Sequence, residues 1–361
     1  MTLTAPFPYI GGKARIAPKI WQLLGDVDTY AEPFAGSAAV LLRRPKAHDH
    51  DREIINDIDG LIVNVWRSLA YEPDLTAQHA DWPATESDLH ARHIWLLGQR
   101  ASMTSQLEGD PVWCDPQAAG WWLWGASLWI GGGWCSGSGK WQSVNGELVP
   151  IEGSHKDAAG VVRKRQKMSR VGGVIETGGV KRQRQDFGRA GVFAGADRET
   201  EPMEGLFEWL PWSDGAHLRH LFRALAKRME RVSIVAGDWT RILGDVPLWG
   251  GIGRGMAGVF FDPPYAGDQR SRPDTDLYGM DTVTVSADVR EWCVEYGGRP
   301  DIRIVLAGLD DEHDELLERD WQKTVWSASG GYARHATQDR RHTEALWTSP
   351  GCLAFSQQSL F

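Results

Sequence analysis

Residues 261 to 265 read Phe-Asp-Pro-Pro-Tyr, a combination of carboxylate, rigid backbone and aromatic ring suited to holding a nucleobase amine. The apolar run Ala257 to Phe261 before it has the composition of a buried parallel strand. That places Asp262 and Tyr265 at a strand's C-terminal end, where open α/β sheets bind their ligands. Pro264 fixes its own φ and holds Pro263 extended, so the backbone carbonyls turn outward instead of entering a helix. Asp262 and one such carbonyl can accept both protons of an exocyclic amine, and Tyr265 offers a face for a base to stack on. These groups suit methylation of a base amino group. Asp262, Pro263, Pro264 and Tyr265 are therefore the candidate catalytic residues.

The elements that must position them lie far upstream. Tyr30 to Leu42 reads as a short strand passing through a small-residue turn, Ala35-Gly36-Ser37-Ala38, into a helix. Small side chains let backbone N–H groups and a helix N-terminus approach a ligand closely. Ile54 to Asp59 reads as a second apolar strand ending in acids, at the spacing where a carboxylate holds ribose hydroxyls in nucleotide-binding βαβ units. An adenosine-like cofactor is implied. No G-x-x-x-x-G-K-[ST] is present and the turn lacks a full G-x-G-x-x-G, so this is not a phosphate-gripping loop.

Further motifs make a family resemblance specific. Pro8-Tyr9-Ile10-Gly11-Gly12-Lys13, Glu32-Pro33-Phe34-Ala35-Gly36, Asp57, Asp262 to Tyr265 and Glu344-Ala345-Leu346-Trp347 occur in this order. The chain thereby resembles the Dam-type (alpha group) DNA adenine-N6 methyltransferases, which use S-adenosylmethionine. The resemblance covers roughly residues 6 to 70 and 230 to 350, including strands expected at Val232 to Asp238 and Ile302 to Leu309. It implies cofactor contacts at Tyr9, Gly11, Gly12, Lys13, Glu32, Pro33, Phe34, Gly36, Ser37, Asp57, Ile58, Asp238, Trp239 and Asp262. It also implies a final antiparallel strand. Ser37 and Ala38 stand where the family commonly continues with glycine, and the Cβ of Ala38 is tolerable if its φ stays negative.

The expected architecture is a doubly wound, Rossmann-like α/β methyltransferase domain assembled from residues 1 to 70 and 217 to 361, with residues 71 to 216 inserted as a target-recognition module. A length of 361 residues fits two domains, and 42% hydrophobic residues suffice for a sizeable core. Cys114, Cys135, Cys293 and Cys352 form no C-x-x-C pair and read as free thiols. The first motif falls within ten residues of Met1 with no charged-then-apolar leader, so a cytoplasmic protein is expected.

A net charge of -9 is unusual for a DNA binder until it is divided. Between His155 and Arg198, eleven Lys or Arg face four acids, leaving 28 basic and 44 acidic residues elsewhere. Phosphate affinity follows local cation density, so Arg163, Lys164, Arg165, Lys167, Arg170, Lys181, Arg182, Arg184 and Arg189 are candidate DNA contacts. The insert's other half carries seven tryptophans within residues 113 to 141 and no charge from Pro116 to Gly139. Glycines 131 to 133 and the scattered tryptophans argue against a membrane span, and a core helix over Gln117 to Ile130 is expected. The loop Gly131 to Lys140 is a candidate for shaping the pocket or the DNA path.

His48-Asp49-His50-Asp51 reads as a solvated turn rather than a metal tract, and His217 and His220 as an ordinary face of a helix from Ala216 to Met229. Asp310 to Glu315 reads as a helix start favoured by the macrodipole. No metal is expected, since transfer from a sulfonium needs none. The expected partner is double-stranded DNA, the expected state a monomer or weak dimer without membrane attachment. Cytosine N4 or RNA as the acceptor, and a silent DNA-coating protein on the same fold, remain alternative readings.

Overall fold

The computed structural model describes residues 3–7, 9, 11–45, 47–129, 134–135, 141–144, 147–150, 216–250, 255–265, 282–327 and 343–354. In chain order the strands are β1 (Thr29–Glu32), β2 (Arg52–Asp57), β3 (Trp141–Val144), β4 (Glu147–Pro150), β5 (Val232–Ala236), β6 (Ala257–Phe261), β7 (Ile302–Leu309), β8 (Gln322–Ser327) and β9 (Thr343–Thr348). The α-helices are α1 (Ala17–Leu24), α2 (Ala39–Leu42), α3 (Gly60–Tyr71), α4 (Pro73–Ala80), α5 (Glu86–Gly109), α6 (Pro116–Leu128), α7 (Ala216–Met229), α8 (Asp245–Trp249) and α9 (Thr282–Tyr296). Contacts divide the chain into two compact units, one holding residues 16–58, 231–274 and 278–361, the other residues 1–15, 59–230 and 275–277. The division at 58/59 and 230/231 assigns α3 and α7 to the helical unit, whereas the sequence reading cut after 70 and before 217.

The first unit is a seven-stranded sheet in the order β5-β2-β1-β6-β7-β9-β8. Neighbours from β5 through β7 pair in parallel, while β9 runs antiparallel to both β7 and β8. Every residue of β1 and β6 is buried, the pattern of strands covered on both faces. The chain leaves β1 toward β2 and later returns to β6 on the other side of β1. The strand order therefore reverses between β1 and β6, and the C-terminal ends of those two strands bound a switch-point crevice. Phe261, Trp347, Ile304, Val289 and Trp249 are among the buried residues of the core cluster beneath it.

The second unit is helical, with the antiparallel β3–β4 pair. Asp59, Thr85 and Asp115 accept from the first-turn amides of α3, α5 and α6, which satisfies donors that a helix start leaves unpaired. Asn64 and Asp115 exchange hydrogen bonds of 2.9 and 2.7 Å between side chain and backbone. The buried Arg67 donates to the carbonyls of Leu107 and Asp110 at 3.0 and 2.7 Å, closing the end of α5. Phe7 packs edge-on against Trp122, ring centroids 4.9 Å apart. Helix α6 is apolar on nearly every face and correspondingly buried. No described helix is long and apolar enough to cross a membrane.

Several boundaries differ from the sequence reading. Helix α6 starts at Pro116 and ends at Leu128, because Trp129 is already extended. Strand β2 ends at Asp57, and Asp59 caps α3 instead of extending the strand. Strand β5 ends at Ala236, since Gly237 turns at φ +124° and Asp238 caps a 3-10 helix over Trp239–Ile242. The acids expected to start a helix at 310 instead collect on one cation: Lys323 contacts Asp310, Asp311 and Asp314 at 2.7, 3.1 and 2.8 Å. The helix that starts here is a short 3-10 one, Asp314–Arg319, with Asp314 and Glu315 in its first turn. In the His48–Asp51 turn, Asp51 is not solvated; its buried carboxylate pairs with Arg44 at 2.8 Å.

Helices α4 and α6 meet at Gly120. A Cβ there would stand 2.4 Å from His79 Cβ, 2.7 Å from the Thr76 carbonyl oxygen and 2.9 Å from the Ala80 nitrogen. Gly120→Leu should therefore cost roughly 1–3 kcal/mol in urea denaturation despite its better helix propensity. Gly98→Ala, in the same unit and with no atom within 4 Å of the new Cβ, should instead stabilise by up to about 1 kcal/mol. Equal effects of the two would refute the close approach at Gly120.

Candidate active site at the sheet switch point

The loop after β1 is held from three sides. Glu32 is buried, and its Oε2 accepts from the Tyr30 hydroxyl at 3.1 Å and from the Leu41 amide at 3.2 Å, tying the strand end to α2. Burial first, and the Glu32 charge second, push the Tyr30 phenol well above its ordinary pKa, so it stays a donor. Gly36 turns at φ +46°, and its amide donates to Asp57 Oδ2 at 2.8 Å. The Ala35 amide donates to the Asn56 carbonyl at 2.9 Å. Ala38 has φ +48°, so the condition under which its Cβ would be tolerated without strain, a negative φ, is not met. The residue is left-handed, buried, and strained for an L side chain, a conformation that glycine would adopt without cost.

Asn56 is the junction of the crevice. Its Nδ2 donates to the Pro33 carbonyl at 3.1 Å and to the Gly237 carbonyl at 3.0 Å. The Gly237 amide in turn donates to the Asp57 carbonyl at 3.1 Å. The loop after β1, the end of β2 and the turn after β5 are thus one hydrogen-bonded assembly. Asn56 Oδ1 is buried and has no hydrogen-bond partner among the described residues. Phe34 stacks on Trp239 with centroids 6.1 Å apart, and Trp239 meets Phe261 edge-on at 6.0 Å. Asp238 accepts from the Thr240 amide at 2.9 Å.

Across the switch point, Asp262 to Tyr265 leave the end of β6 without entering a helix. The Tyr265 hydroxyl donates to Asp262 Oδ1 at 3.1 Å and lies 3.5 Å from Glu344 Oε2 on β9. Desolvation, then the charges of Asp262 and Glu344, raise the Tyr265 pKa far above that of a free phenol, which keeps its proton in place as a fixed donor. The phenol thereby orients the Asp262 carboxylate.

The structure brings Glu32, Pro33, Phe34, Gly36, Ser37, Asp57, Ile58, Asp238, Trp239 and Asp262 to Tyr265 into the sheet unit, and Tyr9, Gly11, Gly12 and Lys13 fall in the helical unit. There Gly12 donates to the Tyr9 carbonyl at 3.2 Å, Gly11 has φ +85°, and the buried Lys13 donates through Nζ to the Gly11 carbonyl at 2.9 Å. The basic residues from Arg163 to Arg189 lie outside the described residues, as does most of Gly131 to Lys140. Sequence reasoning assigned no role to Asn56 or Glu344. Asn56 could have been suspected as a polar residue inside an otherwise apolar strand.

Residues 9–85 match the family model of the D12 class N6 adenine-specific DNA methyltransferases. That span contains the Tyr9 to Lys13 turn, the Glu32 to Gly36 loop and the Asn56-Asp57 pair, and stops well before Asp262. No curated protein matches the chain. The family's description names adenine N6 in DNA as the acceptor, and the mixed α/β sheet with seven strands is consistent with a methyltransferase fold.

Asn56→Ala removes the donor from two carbonyls of the assembly, and should cost roughly 2–4 kcal/mol in denaturant-induced unfolding. A loss below about 0.5 kcal/mol would mean that the two carbonyls are satisfied by water.

Proposed function

We propose that the protein transfers a methyl group from S-adenosylmethionine to the N6 amine of adenine in double-stranded DNA. The observation that carries this reading is the placement of the Asp57-tied loop and of Asp262 to Tyr265 at the two strand ends bounding the switch point. The residues present suit the cofactor. Asp57 offers a carboxylate for ribose hydroxyls, the ring of Phe34 or Trp239 can cover an adenine, and the unpartnered Asn56 Oδ1 is an acceptor in the same assembly.

S-adenosylmethionine supplies an electrophilic methyl group on a sulfonium. The chain's own groups must present the amine to it. The lone pair of adenine N6 is delocalised into the ring; acceptors at Asp262 and the Pro263 carbonyl bind its two N–H groups and favour a more tetrahedral nitrogen with its lone pair directed outward. The Tyr265 hydroxyl holds Asp262 Oδ1, so the amine is assigned to Oδ2. The nitrogen loses one proton after transfer, and Asp262 is the acceptor in reach of it. Positioning supplies most of the rate. Within a duplex the amine is buried, so the adenine must be flipped out, with the Tyr265 ring as the stacking platform. Residues 71 to 216 are assigned to target recognition, with residues 1 to 70 and 217 to 361 assigned to catalysis.

Two variants separate the roles. Asp262→Ala should abolish methyl transfer and leave S-adenosylmethionine affinity within about twofold, because the side chain is assigned to the amine rather than to the cofactor contact that the resemblance implies. Asp57→Ala should weaken S-adenosylmethionine binding by roughly 1.5–3 kcal/mol in calorimetry. Turnover by Asp262→Ala within about tenfold of wild type, or unchanged affinity in Asp57→Ala, would remove the corresponding assignment.

A further inference from the structure

The helical unit contains a cavity of about 540 Å³, within the ~300–1,000 Å³ of small-ligand sites. Its walls include His79 and Asp81 at the end of α4, Trp82 in the turn beyond, Arg92 of α5, Trp121 of α6 and Arg219 of α7. The close packing of α4 on α6 at Gly120 brings His79 beside Trp121.

Arg92 is the unusual member. It is only 7% exposed, and three indole rings surround its guanidinium, with centroids 4.3 Å (Trp124), 4.9 Å (Trp121) and 5.1 Å (Trp82) away. Its Nη1 is buried and has no hydrogen-bond partner among the described residues. Asp88, the acid whose charge acts on it, accepts instead from the Trp82 indole at 3.1 Å. Cation–π contact recovers part of the desolvation cost, and the remaining charged donor is one that an ordered water, an ion or a ligand would satisfy. Meanwhile Trp82 is 47% exposed at the pocket's edge.

The chemistry of the walls narrows the ligand. Arg92 and Arg219 line the pocket with Asp81, the Asp88 carboxylate stands beside Arg92, and an apolar molecule would leave the Arg92 donor unpaired. An inorganic anion would use Arg92 but not the indoles. We propose that this pocket binds a nucleotide, its phosphate received by Arg92 and its base stacked on Trp82. The nucleotide is either free or one unit of a DNA strand. The pocket shares no residue with the switch-point assembly and stands or falls independently of methyl transfer there.

The test is calorimetric titration of the full chain with 2′-deoxyadenosine monophosphate, inorganic phosphate and a short single-stranded oligodeoxynucleotide at fixed salt. Near-ultraviolet circular dichroism checks the folding of each variant. Arg92→Met should weaken nucleotide binding by about tenfold or more. Trp82→Ala, at a half-exposed position, should weaken the nucleotide or the oligonucleotide by about fivefold or more while leaving inorganic phosphate within about twofold. An effect on the monophosphate assigns the pocket to free nucleotides, and an effect on the oligonucleotide alone assigns it to a strand. The proposal is overturned if Trp82→Ala changes neither, if neither binds, or if inorganic phosphate binds as tightly as the monophosphate.

Discussion

The Gly36 amide donating to the Asp57 carboxylate at 2.8 Å is the bond on which the rest of the candidate site depends. It joins the loop after one parallel strand to the end of its neighbour, and the adjacent Asn56 extends the tie to a third strand end through two carbonyls. Turns at strand ends present backbone groups that no ladder satisfies. Here two consecutive side chains of β2 supply the missing partners for the turns on either side. Rigid binding loops of this kind can hold a flat, polar ligand without first paying to order themselves.

The same assembly explains why a left-handed alanine is tolerated. Ala38 at φ +48° is unfavourable by itself, yet its amide donates to the Ala35 carbonyl at 2.6 Å, and Glu32 fixes the helix that follows by accepting from Leu41. Local strain survives where surrounding bonds over-determine the backbone, and such positions gather at functional sites. Opposite this loop, Tyr265 and Asp262 form a second fixed element: a phenol whose proton burial retains, holding a carboxylate. Each side of the crevice is therefore organised by its own hydrogen bonds.

Much of this was legible in the residues. Strands β6 and β7 and helix α7 have the boundaries read from sequence, because continuous apolar runs and an amphipathic period are local signals. The antiparallel pairing of β9 with β7 agrees with what the resemblance implied. The reading of β2 and β5 overran because Asp59 and Asp238 were taken as strand-terminal acids, whereas both are caps of the element that follows. Lys323 is too distant in sequence from Asp310 for local rules to pair them, so the salt-bridge cluster was not read, although Asp314 and Glu315 do open a short 3-10 helix. Asn56 and Glu344 act through groups 23 to 181 and 79 residues away respectively, and only the fold reveals such partners. The same holds for Arg92, an ordinary helical arginine in the sequence.

The central claim is methyl transfer to adenine N6, and nucleoside mass spectrometry tests it most directly. Unmethylated duplex DNA incubated with the purified protein and S-adenosylmethionine carrying a deuterated methyl group should yield deuterated N6-methyl-2′-deoxyadenosine, and none with Asp262→Ala. Label appearing instead on cytosine N4, or no labelled nucleoside from folded protein that binds S-adenosylmethionine, would contradict the account.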